Sequence, residues 1–315
     1  MPPFLRSCLP ALRLPAVLLA LLAGSAIAQS APSPAPAVVP LRFVNGLPFV
    51  QVAVGAARSE MMFDSGGGFG ISLPTATIDD AGSVTMLDET SRFSDLLGQV
   101  HEVRKLVARR VTVGRTALEP VRGRVHVNWG GAPEGPDAEL TRARNGGAID
   151  LLAFGERALM FDYARRTLTI YAPGRHPLAD PEARAAGWQS LRLEHGKTGP
   201  YVTLRVGSKP LKLVLDTGAP LNFINPGSLA GTAGRCDDAG DAPDPCNLPD
   251  VRTEGGAALG AMKARAMSLD GAPFDGLLGA PFFAARRVLF DPAAQRLLIA
   301  PADPAGAARS TAPVP

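Results

Sequence analysis

Short apolar runs separated by turn-forming residues follow one another along most of the chain. Residues 41–54 alternate apolar and polar positions around a turn at Gly46, which is typical of a β-hairpin. The same alternation at 121–127 predicts a half-buried strand, and the continuous apolar runs Met61–Phe63 and Ile71–Leu73 predict short buried strands. Because the chain shows many such strands and little helical periodicity, we predict an all-β protein.

Stretches rich in proline, glycine or charge interrupt this pattern and predict connecting segments. Residues 29–40 are rich in Ala, Pro and Ser and predict a flexible linker, and 302–315 predict a disordered tail. A second linker is expected at 174–190, where prolines recur. Within the remaining chain, 128–147 and 227–249 predict long loops.

The sequence contains an internal repeat. Two apolar runs end in Asp, a small hydroxyl residue and Gly, as MMFDSG around Asp64 and as LVLDTG around Asp216. In each copy a Val-Gly pair lies nine residues before the Asp, and a Pro lies ten residues after it. Farther on, the segments LMFDYARRTLTIYAP and VLFDPAAQRLLIAP recur in the same order. We therefore predict two copies of one module, a first repeat at 41–173 and a second repeat at 191–301.

Composition limits the possible functions. The 315-residue chain is 46% hydrophobic, which is enough for a sizeable core, and its 34 Gly and 30 Pro favour turns over long helices. The formal net charge is +3, and two of the positive charges, Arg6 and Arg13, lie near the start of the chain. A chain so close to neutrality gives no basis for a nucleic-acid partner.

Residues 1–28 have the features of a secretory signal peptide. The apolar segment Leu14–Leu22 follows Arg13, and Ala26–Ala28 fits a small-x-small cleavage site. We expect a periplasmic or secreted protein, monomeric and without a stable membrane span after cleavage. An uncleaved anchor is the alternative, although the apolar run is short for a membrane span. No Cys follows the run where lipid attachment would need one.

Two of the three cysteines, Cys236 and Cys246, lie ten residues apart in a polar segment, and the third, Cys8, lies in the predicted signal. In an oxidising compartment the pair can close a small disulfide loop. Free thiols or a weak metal site are the alternatives. The four histidines lack ligand spacing, so we expect no metal site.

The repeat delivers two carboxylates, Asp64 and Asp216, from equivalent positions. Peptide hydrolysis without a metal or a covalent nucleophile needs an activated water and a protonated carbonyl oxygen. Two carboxylates about 3 Å apart can do both, because repulsion makes them share one proton. Such a pair titrates as a unit. A duplicated module supplies the approximate two-fold symmetry that this contact requires.

The residues that follow each Asp fit the same role. Gly66 and Gly218 have no side chain, so the backbone can approach the carboxylates closely and its N–H groups can reach them. Ser65 and Thr217 carry hydroxyls that can bond across the symmetry axis and hold the two loops together. We expect these four residues to support the catalytic loops.

This arrangement resembles the aspartic peptidases, and in particular bacterial secreted proteins with two retropepsin-like units in tandem. FDSGG and VLDTGA match the active-site motif of the family, and FDGLLGAPFF at 274–283 matches the segment that packs beneath the catalytic loop. The resemblance implies a β-rich bilobal fold, hydrolysis of peptide bonds in a peptide or unfolded protein, no cofactor, and a flap hairpin that closes over the substrate. Candidate flap tips are Leu96–Val100 and Gly255–Gly260.

The first repeat departs from the family pattern. Its segment IDLLAFGERALMFD places Ala153 where Gly is expected and is four residues shorter, since 12 positions separate Asp150 from Asp162 and 16 separate Asp275 from Asp291. No flap tyrosine is evident. We interpret these four further carboxylates as structural.

Three readings therefore stand beside one another. The first is a single-chain aspartic endopeptidase, and the second is a catalytically inactive relative that binds peptides in the cell envelope. A separation of the Asp64 and Asp216 carboxylates beyond about 6 Å would favour the second reading. A homodimer that uses one motif from each chain is the third. Either Asp can also be an ordinary turn residue before Gly.

Overall fold

The computed structural model describes residues 35–301, apart from 95–98, 129–137, 174, 177, 179–182, 184, 197–198, 238–243 and 270. The predicted signal peptide (1–28) and tail (302–315) lie outside the described residues. Both repeats belong to one compact unit that begins at Ala35. Most of its regular structure is β-strand, and none of the described helices is long and apolar enough to cross a membrane.

The first part of the chain forms thirteen strands, two α-helices and one 3₁₀ helix among its described residues. They are β1 (Ala37–Pro40), β2 (Arg42–Val44), β3 (Leu47–Val54), β4 (Ala57–Phe63), β5 (Ile71–Leu73), α1 (Thr75–Ala81), β6 (Val84–Ser94), β7 (Val100–Ala108), β8 (Val111–Val113), β9 (Thr116–Ala117), β10 (Val121–Val125), α2 (Ala138–Arg144), β11 (Ala148–Ile149), η1 (Leu151–Phe154), β12 (Leu159–Asp162) and β13 (Thr167–Ile170).

The second part adds eleven strands, one 3₁₀ helix and one α-helix, again counting the described residues. They are β14 (Gln189–Arg192), β15 (Glu194–Gly196), β16 (Gly199–Val206), β17 (Lys209–Leu215), β18 (Phe223–Ile224), η2 (Pro226–Leu229), β19 (Arg235–Cys236), β20 (Pro245–Thr253), β21 (Ala258–Ala266), β22 (Gly276–Leu278), α3 (Ala280–Ala284), β23 (Val288–Asp291) and β24 (Arg296–Ile299).

Each repeat builds its own sheet around the strand that ends at its Asp. The first sheet has the order β6-β7-β10-β5-β11-β4-β3-β8-β9, with β2 paired to β3, and the second has the order β15-β16-β17-β22-β18-β21-β20-β19. In both sheets the Asp-bearing strand runs parallel to a short neighbour: β4 pairs with β11, and β17 pairs with β22. The two repeats therefore present their Asp residues in the same local topology.

A third sheet joins the repeats. Its six strands have the order β1-β13-β12-β23-β24-β14, and the pair β12–β23 connects the repeated Phe-Asp strands directly. Phe161 and Phe290 from these strands are fully buried, with ring centroids 5.8 Å apart, and Phe161 packs at 4.9 Å against Phe63. Because Phe63 directly precedes Asp64, this aromatic core supports the first Asp-bearing loop from below.

The structure corrects three predictions of loop or linker. Strand β1 lies inside the segment 29–40 that we predict to be flexible, because Val39 and Ala37 are buried while Val38 points outward. As β1 is the edge of its sheet, its flanking prolines cost no ladder hydrogen bond. Helix α2 likewise occupies part of 128–147, and β14 begins within 174–190.

The predicted disulfide between Cys236 and Cys246 is confirmed. The two residues face each other across the antiparallel pair β19–β20. The segment 227–249 is therefore not a long loop throughout, because η2, β19 and the start of β20 lie within it. The sequence pattern misses them because they are short and rich in proline and glycine.

Candidate active site

Asp64 and Asp216 leave their strands in the same way. The backbone N–H of Asp64 donates to the carbonyl of Ile149 at 2.9 Å, and the N–H of Asp216 donates to the carbonyl of Leu278 at 2.9 Å. These bonds continue the parallel pairs β4–β11 and β17–β22 by one residue. Each carboxylate is thus anchored at the end of a buried strand instead of lying on a surface turn, and Asp64 is only 7% exposed.

Ser65 and Thr217 join the two loops by a reciprocal set of hydrogen bonds. The N–H of Ser65 donates to Thr217 Oγ1 at 2.9 Å, and the N–H of Thr217 donates to Ser65 Oγ at 2.9 Å. Ser65 Oγ in turn donates to the carbonyl of Leu215 at 2.7 Å, and Thr217 Oγ1 donates to that of Phe63 at 2.6 Å. Both side chains are buried, so these four bonds fix the relative position of the loops.

The two carboxyl groups lie on either side of the same point, because a Cβ atom at Gly218 would lie 2.9 Å from Oδ1 of Asp64 and 3.2 Å from Oδ1 of Asp216. Each carboxyl group influences the protonation of the other. Each also lies against the glycine of the opposite loop. A Cβ atom at Gly66 would lie 2.7 Å from Cγ of Asp216, and one at Gly218 would lie 2.9 Å from Cγ of Asp64. Gly218 additionally donates its N–H to Asp216 Oδ1 at 2.8 Å. Glycine is therefore required at both positions for the carboxyl groups to meet.

Burial and mutual repulsion set the protonation of this pair. Burial raises the pKa of Asp64 well above its usual range, and the adjacent Asp216 raises it further. Burial also raises the pKa of Asp216, although the N–H groups of Gly218 and Ala219 oppose this rise. Two carboxyl groups placed in this way do not both ionise readily, which favours one shared proton for the pair.

The hydrogen bonds beneath each Asp show that the expected deletion in the first repeat is wrong. Because Ile149 and Leu278 occupy equivalent places, Asp150 corresponds to Gly279, not to Asp275. Twelve positions separate Asp150 from Asp162, and twelve also separate Gly279 from Asp291. The two segments have equal length, and the support beneath Asp64 is complete.

Asp150 has a local role that the sequence interpretation missed. Its Oδ2 accepts the N–H groups of Phe69 at 2.6 Å and Gly70 at 2.8 Å, and its Oδ1 accepts that of Leu152 at 2.8 Å. Burial raises the pKa of Asp150 to about 6, against the effect of these bonds. The sequence signal that aligns Asp150 with Gly279 is the distance of twelve positions to Asp162 and to Asp291, respectively, and not the apolar pattern.

The second repeat has a similar side chain-to-backbone hydrogen bond, but the positions of the polar residue and the glycine are swapped. Asn222 corresponds to Gly70, and its Oδ1 accepts the N–H of Gly279 at 2.8 Å. A Cβ atom at Gly279 would lie 2.2 Å from the carbonyl oxygen of Leu221. Gly70 and Asp150 of the first repeat thus correspond to Asn222 and Gly279 of the second. In each repeat a polar side chain accepts the N–H of a glycine and holds the loop that follows the Asp.

The other repeated carboxylates make hydrogen bonds within turns and between strands. Asp162 accepts from the backbone of Arg165 at 2.9 Å and from its guanidinium at 2.7 Å. Asp275 accepts from the N–H of Lys212 at 2.8 Å and from the hydroxyl of Ser228 at 2.6 Å. Asp291 contacts His176 at 2.9 Å and Arg296 at 3.0 Å. Among the described residues, no group of three or more His, Cys, Asp or Glu side chains is arranged to hold a metal.

Hairpins occur next to both candidate flap tips. Strands β6 and β7 pair antiparallel, and most of the tip between them, 95–98, lies outside the described residues. Strands β20 and β21 form the corresponding hairpin of the second repeat. A cavity of about 510 Å³ borders the β6–β7 hairpin, through Leu87 and Lys105, and the Asp64 loop, through Gly68–Gly70. This is large enough to hold a substrate side chain.

Comparison with known proteins supports the fold. A solved aspartic proteinase from Irpex lacteus is similar to this chain, with a TM-score of 0.52 and 13% sequence identity, over 85% of this chain and 98% of that chain. No family model and no curated protein matches the sequence. The similarity shows the fold alone. The prediction of an all-β, bilobal aspartic protease fold is confirmed.

Proposed function

We propose that the protein is an aspartic endopeptidase that cleaves peptides or unfolded proteins. The observation that carries this proposal is the contact between the Asp64 and Asp216 carboxyl groups, held by the reciprocal bonds of Ser65 and Thr217. Two carboxyl groups that act directly on each other's protonation support a catalytic dyad over a binding protein whose carboxylates stand apart. The disulfide fits the predicted signal peptide and a periplasmic or secreted location.

The shared proton defines the proposed mechanism. The ionised carboxylate takes a proton from a water molecule while the water oxygen attacks the carbonyl carbon of the peptide bond. The protonated carboxyl group donates its proton to the carbonyl oxygen, which gives a neutral tetrahedral intermediate. When the intermediate collapses, one of its hydroxyl groups returns a proton to the ionised carboxylate, and the protonated carboxyl group gives its proton to the leaving nitrogen as the C–N bond breaks. The products are a carboxylic acid and an amine. The pair then again holds one proton.

The alternative hypothesis, a catalytically inactive relative that binds peptides, is now supported by only one of its two original observations. It rested on a shortened first repeat, which the equal spacing of the two segments removes, and on the missing flap tyrosine. The β6–β7 hairpin contains no tyrosine but carries Phe93 on β6. An aromatic ring is therefore present on the strand that approaches the site.

Single amide substitutions test this proposal. We expect D64N and D216N each to lower the cleavage rate of an unfolded protein by about 10³-fold or more, because either change removes the shared proton system. The melting temperature should change little, since an amide fits the same space. D80N, an exposed Asp on α1, is the matched control and should retain full activity. Undiminished cleavage by either dyad variant would refute the assignment.

A further inference from the structure

Arg124 is a buried cation next to the candidate site. It lies on β10 and is only 7% exposed. Its guanidinium lies 4.4 Å from the ring centroid of Phe69 and 3.7 Å from that of Phe93. Phe69 belongs to the loop of Asp64, and Phe93 belongs to the β6–β7 hairpin. A single side chain thus contacts both the loop and the hairpin.

The charge of Arg124 acts on the carboxylates of the first repeat. It attracts Asp64 and Asp150, and it lowers the pKa of Asp64 against the rise caused by burial. Burial lowers the pKa of Arg124 to about 10, so the guanidinium stays charged at neutral pH. The buried His126 nearby has a pKa of about 4, lowered first by burial and then by Arg124, so it is neutral above that pH.

Among the described residues, other charged or titratable groups also act on the dyad. Asp150 acts on Asp64 from the same repeat, and Asp216 is its direct partner. On the far side, Arg144 at the end of α2 attracts Asp216, and the buried phenol of Tyr163 has its pKa raised by burial and by Asp216. Arg124 thus favours the ionised form of Asp64, and Arg144 favours that of Asp216.

The second repeat has no equivalent cation. Arg124 pairs with Ser72 in the register of β10 and β5, and Ala266 pairs with Ile224 in the register of β21 and β18. Ser72 and Ile224 each lie eight residues after the Asp of their repeat. Ala266 thus stands where the first repeat has Arg124. The cation breaks the symmetry of the site and sits on the side of the hairpin.

We propose that Arg124 is a positioning residue that ties the β6–β7 hairpin to the loop of Asp64 and holds a fixed positive charge against that loop. The second role, the effect of this charge on a catalytic dyad, rests on the proposed function. Stacking on two rings orders the hairpin over the loop, and the fixed positive charge favours the ionised state of Asp64.

A titration that needs no activity tests the charge role. The pKa values of the dyad are measured by NMR of ¹³C-labelled Asp carboxyl groups, with D64N and D216N for assignment. Replacing Arg124 by Met removes a cation that favours ionisation, so in R124M both titration steps should move upward by about one pH unit. R124K keeps the charge and should leave both steps in place. R58M, an exposed arginine on β4, is the matched control.

The kinetic test separates the two roles. In R124M both limbs of the kcat/KM profile should move to higher pH in parallel with the NMR titration. F93L keeps the charge but removes one ring, so it should raise KM for an extended peptide at least about threefold and leave the limbs in place. R124K should behave like F93L.

Each result bears on the proposal in a defined way. Unchanged dyad titration in folded R124M would overturn the charge role, and an unchanged KM in both F93L and R124K would overturn the link to the hairpin. If R124M does not fold, the titration of R124K and the KM of F93L still decide, because a shifted titration in R124K would refute the charge role. If the wild type cleaves no peptide, the proposed function fails, while the NMR titration still tests Arg124.

Discussion

At the scale of single residues, the contact between the loops depends on two buried hydroxyls. Ser65 and Thr217 each accept the N–H of the other and donate to a strand carbonyl of the opposite repeat. The sequence predicts this arrangement, because the residue that follows each Asp carries a small hydroxyl side chain that can form hydrogen bonds with the opposite loop. The distance of 152 positions between them is closed by the duplicated fold.

Removing either hydroxyl should destabilise the protein. S65A and T217A each leave a buried N–H and a buried carbonyl without a partner, so we expect a loss of about 1–3 kcal/mol in the free energy of unfolding. T217S keeps the hydroxyl and is the matched control. Urea unfolding measures all three. Because the bonds form one network, the double alanine variant should lose less than the sum of the singles, and strict additivity would argue against the network.

Asp150 shows why the apolar pattern alone misaligns the two repeats. The Leu-Leu pairs at 151–152 and 277–278 look alike, but in the fold Leu277 and Leu278 correspond to Ala148 and Ile149, which lie three residues earlier. In the fold, Leu152 is 57% exposed in η1 whereas Leu277 is buried in β22. The matching Leu-Leu letters suggest the wrong alignment of the two repeats. The equivalent positions are defined by backbone hydrogen bonds, and the pattern of apolar residues does not reveal these bonds.

The raised pKa of Asp150 predicts a pH-dependent stability. A carboxyl group whose folded pKa, about 6, exceeds its unfolded value of 3.8 binds its proton more tightly in the folded state. Its contribution is fully present below pH 3.8 and is lost as the pH rises through 6. D150N does not ionise, so the stability advantage of the wild type over D150N should shrink between pH 4 and pH 7. Urea unfolding at both pH values measures this difference, and an advantage that grows with pH would contradict it.

At the scale of elements, short strands decide what the sequence pattern can and cannot reveal. The last three residues of each strand that ends at an Asp, Met61–Phe63 and Leu213–Leu215, are apolar, and they are buried as predicted. By contrast, β19 has two residues, and a disulfide holds it to β20. A strand of that length carries no detectable period, so the pattern alone predicts a loop there.

The disulfide should stabilise its hairpin without affecting the site. Closing a loop of ten residues lowers the entropy of the unfolded chain, which corresponds to about 2–3 kcal/mol. We expect a reductant to lower the free energy of unfolding, measured in urea, by this amount, while the cleavage rate under native conditions is retained. The C236A/C246A variant should be equally destabilised and should not respond to the reductant. A loss of activity on reduction would show that the hairpin contributes to the site.

At the scale of the whole molecule, duplication explains both the fold and the site. The six-stranded sheet takes strands from both repeats, so neither repeat completes it alone. The repeated segments in the sequence predict two similar modules. They do not predict this shared sheet. The pairing of strands from different repeats depends on how the two repeats pack together, and the local pattern of apolar residues does not show this. Its outermost strand, β1, lies in a segment whose composition predicts a linker.

The duplicated fold also predicts how many sites a chain has. Since both Asp residues come from one chain, a statine-type peptide, whose hydroxyl mimics the attacked tetrahedral carbon, should bind once per chain. The homodimer reading, with one motif used from each chain, predicts half a molecule per chain. Solution mass, measured on the same sample, separates a monomer from a dimer.

The most direct test of the shared-proton dyad is therefore calorimetric titration of the wild type, D64N, D216N and D80N with that peptide. We predict one bound molecule per chain for the wild type and D80N, with affinity reduced by at least about 10²-fold in both dyad variants. Undiminished binding to D64N or D216N, or a stoichiometry of one half, would contradict the account.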